Sequence, residues 1–370
     1  MASQTAICDK FGIKVPIFGF AHSVEAAAEI SRNGGLGVYG ATRDTPEEIR
    51  DNLLRLRAAA GALPIGVDLV LPPNMPEHDD RGAIEKLLPQ AHREFVEGII
   101  KKYNVPPATR PGMRSRFVRS KDMASAQLEA VLASDVDLFA CGIGAPPEAL
   151  RRAKSEGKTT LALVGNRNHA TRALASGVDI LVAQGHDAGA HTGPIGTLSL
   201  VPQIVDVAGD VPVLAAGGIA TGRQIVAALA LGAVGVWLGT AWLATREYGL
   251  SETIVEKLLA AGSEDTVISR ADSGKTLRQI RSAWSDEWAK EGAPIPLMMP
   301  YQDILVGDLL GAVDEHDIQP LVHYPAGQSI GFVKERSTVA DVMAKLLRET
   351  HEAYNALNTH MGAADAPWRI

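Results

Sequence analysis

Two histidines, an aspartate and three glycines stand together in residues 184–193, QGHDAGAHTG, directly after the apolar run GVDILVA. A histidine in such a loop suits proton chemistry, because an unperturbed imidazole with a pKa of about 6.5 can take a proton from a carbon acid or hold one against an anionic oxygen. It can equally brace the loop. His186, Asp187 and His191 are therefore the first residues whose positions need explaining.

The same three side chains are of types that bind zinc or iron. A metal site needs several ligands in a fixed geometry, and the rest of the chain offers no suitably spaced partner for this cluster. We therefore predict no metal site.

A second informative stretch is VPVLAAGGIATGRQIVAALALGAVGVWLGTAWL, residues 211–243. Gly217 and Gly218 end an apolar run just before a predicted helix. Glycines let the backbone approach a ligand, and exposed amides at a helix N-terminus favour an anion. The segment LGTAWL repeats the arrangement at Gly239 and Thr240, and two such turns after neighbouring strands form one phosphate pocket in barrels. The pattern predicts a phosphate-bearing ligand.

A regular scaffold must position these loops, and short apolar runs do alternate with amphipathic stretches along the first two thirds of the chain. This alternation is typical of βα units around a parallel sheet, and eight of them predict a closed (β/α)8 barrel. An open doubly wound sheet is the alternative, but no Gly-x-Gly-x-x-Gly follows the first strand. The predicted strands are residues 15–20, 36–41, 64–70, 136–142, 159–165, 178–183, 211–217 and 234–239.

The predicted fold class is therefore α/β, a (β/α)8 TIM barrel over residues 1–247 with a smaller, mainly helical region at 248–370. A long insertion, residues 72–120, follows the third strand and contains a helix-like run at 84–103. An insertion at this end of a barrel is expected to be a lid or specificity element, or else a packing or dimerisation arm. The helices predicted in the second region span residues 251–262, 276–292 and 338–357.

The composition argues against several classes of protein. The chain has 370 residues, 46% of them hydrophobic and 21% charged, which is typical of a globular protein. Its net charge of −7 argues against a nucleic-acid partner, and Cys8 and Cys141 make no disulfide framework. There is no signal-peptide pattern and no apolar stretch of the roughly 20 residues needed to span a bilayer. We predict a cytoplasmic protein with no membrane partner.

Taken together, five segments resemble the nitronate monooxygenase family, formerly called 2-nitropropane dioxygenases. The resemblance covers most of the chain apart from residues 72–120 and the tail, and it implies a barrel that binds FMN. The family also includes flavin-dependent enoyl reductases and acyl-thioester oxidoreductases, so the resemblance implies the cofactor more closely than the substrate. The segments are NGGLGVYGA (33–41), AQGHDAGAHTG (183–193), AAGGIATGRQIVAALALGAVGVWLGTAWLAT (215–245), DTVISRADSGKTLRQIRSAW (265–284) and AGQSIGFV (326–333).

The resemblance implies roles for the loop after the sixth strand. In the family this loop reads Gln-Gly-x-Glu-Ala-Gly-Gly-His-x-Gly, and its histidine lies over the flavin ring, which implies a catalytic role for His191. His186 falls at a variable position and is a candidate substrate contact. Asp187 replaces the family's glutamate and would hold the loop through hydrogen bonds, while Ala190 replaces a glycine. The implied flavin contacts of the loop are Gln184, Gly185, Gly189 and Ala190.

The amino-terminal segment PIFGFAHSVEAAAEISRNGG (16–35) matches a family motif but lacks its methionine, and His22 and Ser23 enter instead. This departure makes His22 a second candidate catalytic residue, with a bystander beside a helix cap as the alternative. The resemblance also implies that Gln328 touches substrate or flavin. Further positions implied to contact the cofactor are Gly19, Phe20, Ala21, Asp68, Cys141 and Val164, in addition to the phosphate positions Gly217, Gly218, Gly239 and Thr240.

The leading hypothesis is an FMN-dependent oxidoreductase that oxidises a nitronate or related carbon acid with O2, with His191 as base or anion stabiliser. The first alternative is a flavin-dependent dehydrogenase, reductase or hydroxylase of an acyl-CoA or other acyl-thioester, in which another electron acceptor could replace O2. Another class of function is non-catalytic binding of a phosphate-bearing ligand. A homodimer is compatible with each. The acyl-CoA alternative depends on His22 and on arginines that could meet CoA phosphates, namely Arg110, Arg114, Arg116 and Arg119.

Overall fold

The structure is a computed structural model that describes residues 6–113 and 115–362, with side chains described as far as residue 359. Arg114, one of the four arginines named above, lies outside the described residues.

Eight parallel strands close into a barrel, which confirms the predicted fold class. The barrel closes where the first strand pairs with the last, for example Phe18 with Trp237. Two short strands of the second region and one of the loop after the sixth strand form a separate three-stranded sheet. In chain order the strands are β1 Ile17–Ala21, β2 Leu36–Gly40, β3 Ile65–Val70, β4 Leu138–Gly142, β5 Thr159–Val164, β6 Ile180–Gln184, β7 Ala190–His191, β8 Val213–Ala216, β9 Gly235–Leu238, β10 Thr266–Ser269 and β11 Leu277–Ile280. All but β7, β10 and β11 belong to the barrel.

Helices surround the barrel, and local sequence explains where two of them begin. The Ser23 hydroxyl accepts from the Ala26 amide at the start of the first barrel helix, and Thr45 forms a capping box with Glu48 ahead of the next. The helices are α1 Ala6–Phe11, α2 Val24–Arg32, α3 Pro46–Ala60, α4 Arg81–Lys86, α5 Gln90–Tyr103, α6 Lys121–Leu132, α7 Pro147–Ser155, α8 Arg167–Ala175, α9 Thr197–Ala208, α10 Gly222–Ala230, α11 Glu252–Ala260, α12 Ala283–Ala289, α13 Tyr301–Glu315 and α14 Val339–Gly362.

The apolar core is divided by the barrel wall. Alternate strand residues such as Phe18 and Val182 fill the barrel interior, joined by Ile7 of α1. The opposite faces of the strands pack against the surrounding helices, as Val67 and Leu181 do. This alternation gives every barrel strand two buried faces, which explains why the strands are nearly continuous apolar runs.

The insertion packs against the second region and forms a third core with it. Val96 and Ile99 of α5 share this core with Trp284 of α12 and Leu309 of α13. The helix-like run at 84–103 is divided into α4 and α5 by Pro89, which cannot continue a helix that already has its first turns formed.

The second region differs from its prediction at residues 276–292, where one helix was expected. The structure forms β11 there and starts α12 only at Ala283. Leu, Arg and Gln favour helices locally, but β11 is fixed by antiparallel pairing with β10 and with β7. The prediction also missed α13. The domain boundary at residue 247 stays a prediction, although α14 from beyond that boundary packs against both α2 and α10 of the barrel.

Across the described residues, no helix is long and apolar enough to cross a membrane.

Two glycine substitutions test this packing. A Cβ at Gly37 of β2 would lie 1.8 Å from the Ala27 carbonyl oxygen of α2, so Gly37→Ala should force the helix away from the barrel. We expect a loss of about 3 kcal/mol or more in the free energy of unfolding. Gly98→Ala is the control, because Gly98 is exposed inside α5 with open space around it, and a gain of about 0.5–1 kcal/mol is expected. Equal effects in denaturant unfolding would contradict the packing described.

Candidate active site

A cavity of about 450 Å³ opens at the carboxyl ends of the barrel strands. Its size is that of a small-molecule site, and barrels build their active sites at this face from the loops that follow the strands. Most of the predicted site residues line it. They are Phe20, His22, Asp68, Val164, Gln184, Gly189, Ala190, His191, Gly217, Gly218, Gly239 and Thr240.

His191 is half-buried on β7, where the loop after β6 crosses the cavity. Its main chain is held on two sides, because His191 pairs with Leu277 of β11 and its carbonyl accepts from Gln184 Nε2 over 2.9 Å. The imidazole Nε2 lies 2.8 Å from Ser273 Oγ. A hydroxyl can donate to a neutral ring nitrogen or accept from a protonated one, so Ser273 can hold the ring in both protonation states.

His22 is a second histidine of the cavity wall, at the end of β1. Its Nδ1 lies 2.8 Å from the Gly40 carbonyl oxygen, and because a carbonyl only accepts, Nδ1 carries the proton. The ring meets Phe20 edge to face with centroids 5.0 Å apart, and the His22 amide donates to Tyr248 Oη over 3.3 Å. These contacts fix the orientation of the ring at the cavity wall.

Asp68 lies at the end of β3 with only 5% of its surface exposed. Among the described residues, its Oδ2 has no hydrogen-bond partner. Burial raises the pKa of this carboxyl to about 7. A buried oxygen of this kind normally needs a partner, and a donor group on a bound ligand would supply one.

The amides after β8 and β9 form a second polar part of the wall. Gly217 and Gly218 both have positive φ, 101° and 73°, which glycine tolerates and which turns the chain sharply after β8. Within the described part of the chain, no protein acceptor pairs with the backbone amides of Gly218, Ile219 and Gly239. All three residues line the cavity. Amides of this kind, after two neighbouring strands, suit an anion.

The sequence predicted that the amides at the N-terminus of the following helix, α10, would help to bind an anion, but the protein itself pairs with several of the amides there. The amides of Ala220 and Thr221 donate to Gln224 Oε1, and the Gly222 amide donates to Glu349 Oε2 over 3.0 Å. The amides of Ala220, Thr221 and Gly222 are therefore already satisfied by the protein. Those of Gly218 and Ile219, earlier in the same loop, have no protein acceptor among the described residues.

The loop after β6 and the segment at Ala326–Gly327 lie with their backbones in close contact. A Cβ at Gly189 would lie 2.6 Å from the Gly327 nitrogen, and one at Gly327 would lie 2.7 Å from the Asp187 carbonyl oxygen. The Gly327 amide donates to Thr240 Oγ1 over 2.9 Å, so the Thr240 hydroxyl accepts and can donate its own proton elsewhere. Asp187 Oδ2 accepts from the Thr197 amide over 3.0 Å, which is the loop-holding contact predicted for this carboxylate.

Two residues of the cavity wall hold strained backbone conformations. Ala190 has φ of 59° and Ile143, after β4, has φ of 53°. Positive φ is uncommon for residues with a Cβ and more so for a β-branched one. Such strain persists only where surrounding contacts impose it, and it concentrates at functional sites.

Six of the predicted site residues do not line the cavity. Gly19 faces Ile30 of α2, and Ala21 and Cys141 are fully buried, with burial raising the pKa of the Cys141 thiol. Gly185 packs against the start of α9. His186 Nδ1 donates to the Gly193 carbonyl over 2.8 Å, and the Gln328 amide donates to the Asp187 carbonyl over 2.9 Å. The contacts proposed for these six remain predictions: Gly19, Ala21, Cys141, Gly185, His186 and Gln328.

Several cavity residues were not singled out from the sequence. Ser273 and Lys275 come from the loop between β10 and β11, and Tyr248 and Tyr324 lie close together at 3.5 Å between their hydroxyl oxygens. The segment DTVISRADSGKT pointed to this loop but not to these side chains. No spacing rule links residues so far apart in the chain to His191.

The predicted arginine patch is dispersed. Arg116 donates to Glu48 Oε1 over 2.8 Å and to the Arg43 carbonyl, and Arg110 is exposed. Arg119 does line the cavity. Among the described residues there is no cluster of three metal-ligating side chains.

A closed (β/α)8 barrel whose cavity, at the carboxyl ends of its strands, contains a histidine and a glycine turn has the arrangement of a barrel enzyme. Residues 3–349 match the family model described as nitronate monooxygenase. The chain belongs to the nitronate monooxygenase family and is an oxidoreductase of that family.

Similar proteins agree with this assignment. A putative monooxygenase of Mycobacterium tuberculosis is 38% identical over 360 residues, covering 94% of this chain and 96% of that protein. A probable nitronate monooxygenase of Staphylococcus aureus is 28% identical, covering 89% and 92%. The structure is similar to nitroalkane oxidase from Streptomyces ansochromogenes, with a TM-score of 0.81, 28% identity and coverage of 95% and 100%. For FabK from Thermotoga maritima the TM-score is 0.75, with 26% identity and coverage of 97% and 99%.

Asp68→Asn should stabilise the protein without bound ligand in a pH-dependent way. The pKa of Asp68 is about 7 in the folded protein against about 3.9 for an unfolded chain, so folding favours the protonated carboxyl. The protonated Asp68 carboxyl therefore makes its full contribution to the free energy of unfolding below about pH 4, and this contribution is lost as the pH rises to about 7. In urea unfolding, the variant's free energy of unfolding should exceed that of the wild type by an amount that grows over that window to at most roughly 4 kcal/mol. An advantage that does not change with pH would contradict the buried carboxyl.

Ala190→Gly should relieve the strain at β7. Because the left-handed conformation costs a residue with a Cβ on the order of 1 kcal/mol, we expect a gain of about 0.5–1 kcal/mol in the free energy of unfolding. The control is Ala58→Gly at an exposed position inside α3, which should lose about 1 kcal/mol. Thermal unfolding of the two variants in parallel measures both changes in stability. A loss of stability in both variants would contradict the backbone strain at Ala190.

Proposed function

We propose that the protein is an FMN-dependent oxidoreductase that oxidises a nitronate or related carbon acid with O2. The single observation that carries the proposal is that His191 shares one cavity with the amides of Gly218, Ile219 and Gly239. A proton-handling imidazole and free amides that can hold a phosphate, lining one cavity, are what such an enzyme requires.

The residues of the cavity fit FMN. The three amides and the Thr240 hydroxyl would hold the phosphate, and Leu163, Val164, Trp237 and Leu238 supply apolar surface for the ring. Asp68 offers a buried carboxyl whose Oδ2 would meet a polar edge of the ring. Bound there, FMN would supply the redox chemistry that couples oxidation of the substrate to reduction of O2.

The protein's own contribution to the reaction is made by His191. Its imidazole would remove the proton from the carbon acid, or hold a proton against the oxygen of a nitronate. Ser273 keeps the ring in place through the 2.8 Å contact at Nε2, whichever protonation state the ring is in. The pairing of β7 with β11 prevents the main chain at His191 from shifting.

The acyl-CoA alternative has less support from the cavity. Its argument depended on His22 together with several arginines in one patch. His22 and Arg119 do line the cavity, but Arg116 is engaged by Glu48 and Arg110 lies exposed. We therefore retain the compact carbon acid as the proposed substrate.

His191→Asn tests the proposal. The variant should keep its flavin and lose oxygen uptake with a neutral nitroalkane such as 2-nitropropane, a carbon acid whose proton must be removed, by about 100-fold or more, since proton transfer by a positioned side chain contributes about 10²–10⁴-fold. The control is His351→Asn on the exposed face of α14, which should keep full activity. Full oxygen uptake by the His191 variant, or none by the flavin-loaded wild type, would contradict the proposal.

A further inference from the structure

One buried acid at the carboxyl ends of the barrel strands lacks a partner within the protein. Asp68 lines the cavity with 5% of its surface exposed, and among the described residues its Oδ2 has no hydrogen-bond partner. In register it lies beside Gly40 of β2 and Ala140 of β4, so neither adjacent strand offers a polar side chain there. A buried carboxyl oxygen normally has a partner, and here the partner must come from a ligand or from water in the cavity.

No charge in the described part of the chain offsets the burial of Asp68. Burial is the cause that raises the pKa of its carboxyl to about 7. The titratable side chains of the adjacent strands are Tyr39, which donates to Asp44 over 2.6 Å, and Cys141, whose thiol pKa is raised by burial and then by Asp68. The helices behind β3 pack against the opposite face of the strand, as at Val67.

Several charged or titratable groups share the cavity with Asp68, but none of them cancels the effect of burial on its pKa. His22 in particular uses its Nδ1 proton for the Gly40 carbonyl, 2.8 Å away. Because a carboxyl buried without a positive charge beside it favours its neutral form, Asp68 keeps its proton up to about neutral pH. The charged groups are Arg43, Arg119, Lys275 and Asp303, and the other titratable ones are His22, His169, His191, Tyr248 and Tyr324.

A ligand that fills the cavity would strengthen this preference for the neutral form. It would displace water from the carboxyl, and the loss of water penalises an ionised carboxylate far more than a neutral acid. A neutral carboxyl has one O–H to donate, whereas a carboxylate only accepts. The neutral form therefore matches a ligand that presents an acceptor, such as the carbonyl oxygens on the polar edge of a flavin ring.

We propose that Asp68 binds the ring of the cofactor as a neutral carboxylic acid that donates a hydrogen bond to a ring acceptor, so that an ionised Asp68 takes up a proton from solvent when the cofactor binds. This inference rests on the proposed function and adds a proton dependence to its cofactor site. The proton stays on the carboxyl oxygen. The protein should therefore hold FMN less tightly in alkaline solution.

The first test measures how tightly the holoenzyme holds FMN as the pH changes. The holoenzyme is equilibrated with added FMN between about pH 6.5 and 9, and free flavin is separated by ultrafiltration. The dissociation constant should rise about 10- to 100-fold over this range, because each unit by which binding raises the pKa of Asp68 corresponds to a factor of ten. The phosphate of FMN cannot produce this rise, since its second pKa is about 6 and its charge increases with pH.

Asp68→Asn is the decisive variant. Its amide keeps an N–H donor and cannot ionise, so the dissociation constant should change less than about threefold over the same range. Asp44→Asn is the matched control, because Asp44 is another carboxyl whose pKa is raised by burial and it lies outside the cavity. The control should keep the pH dependence of the wild type.

Infrared spectroscopy reads the protonation state directly. The difference spectrum between the wild-type holoenzyme and the Asp68→Asn holoenzyme at about pH 8, above the pKa of the ligand-free carboxyl, should contain the C=O stretch of a protonated carboxylic acid. Carboxylate bands in its place would overturn the inference.

The binding results also separate this inference from the proposed function. A dissociation constant that does not change with pH would overturn the neutral acid, and so would binding that tightens as the pH rises, because a carboxylate would then accept from a ring N–H. Loss of the pH dependence in Asp44→Asn as well would assign it to folding and overturn the inference too. These results leave His191-dependent oxygen uptake intact, whereas a protein that binds no FMN at any pH contradicts the proposed function as well.

Discussion

The site depends on one constraint, the close backbone packing of the loop after β6 against Ala326–Gly327. Gly189 and Gly327 approach so closely that a Cβ on either would overlap the other segment. Because the loop is pressed into this position, Ala190 takes a left-handed conformation and His191 joins a two-residue strand that pairs with β11. The location of the imidazole therefore follows from glycine packing and strand pairing together.

The cavity divides into parts with different origins. The barrel supplies the turn amides after β8 and β9, the apolar wall and Asp68, all at strand ends. The second region supplies Ser273 and Lys275, and the insertion supplies Arg119. This division explains how a common barrel can keep one set of strand-end groups while its additions vary the rest of the cavity. The third apolar core, where Val96 meets Leu309, holds the two additions together.

Sequence reasoning succeeded where chemistry is local and failed where contacts are distant. The barrel was predictable because each βα unit carries its own apolar run and turn, as the glycine pair after β8 shows. Strand β11 was not, since LRQI favours a helix until β7 and β10 pair with it. Likewise, Ser273 lies 82 positions from His191, and its contact with the imidazole exists only in the fold.

The measurement that tests this account most directly is the absorption spectrum of the purified protein, followed by identification of any flavin released on denaturation. The account predicts the two visible bands of an oxidised flavin and release of FMN, because it assigns a terminal phosphate to the turn amides and the Thr240 hydroxyl. A colourless protein that fails to take up added FMN would contradict it.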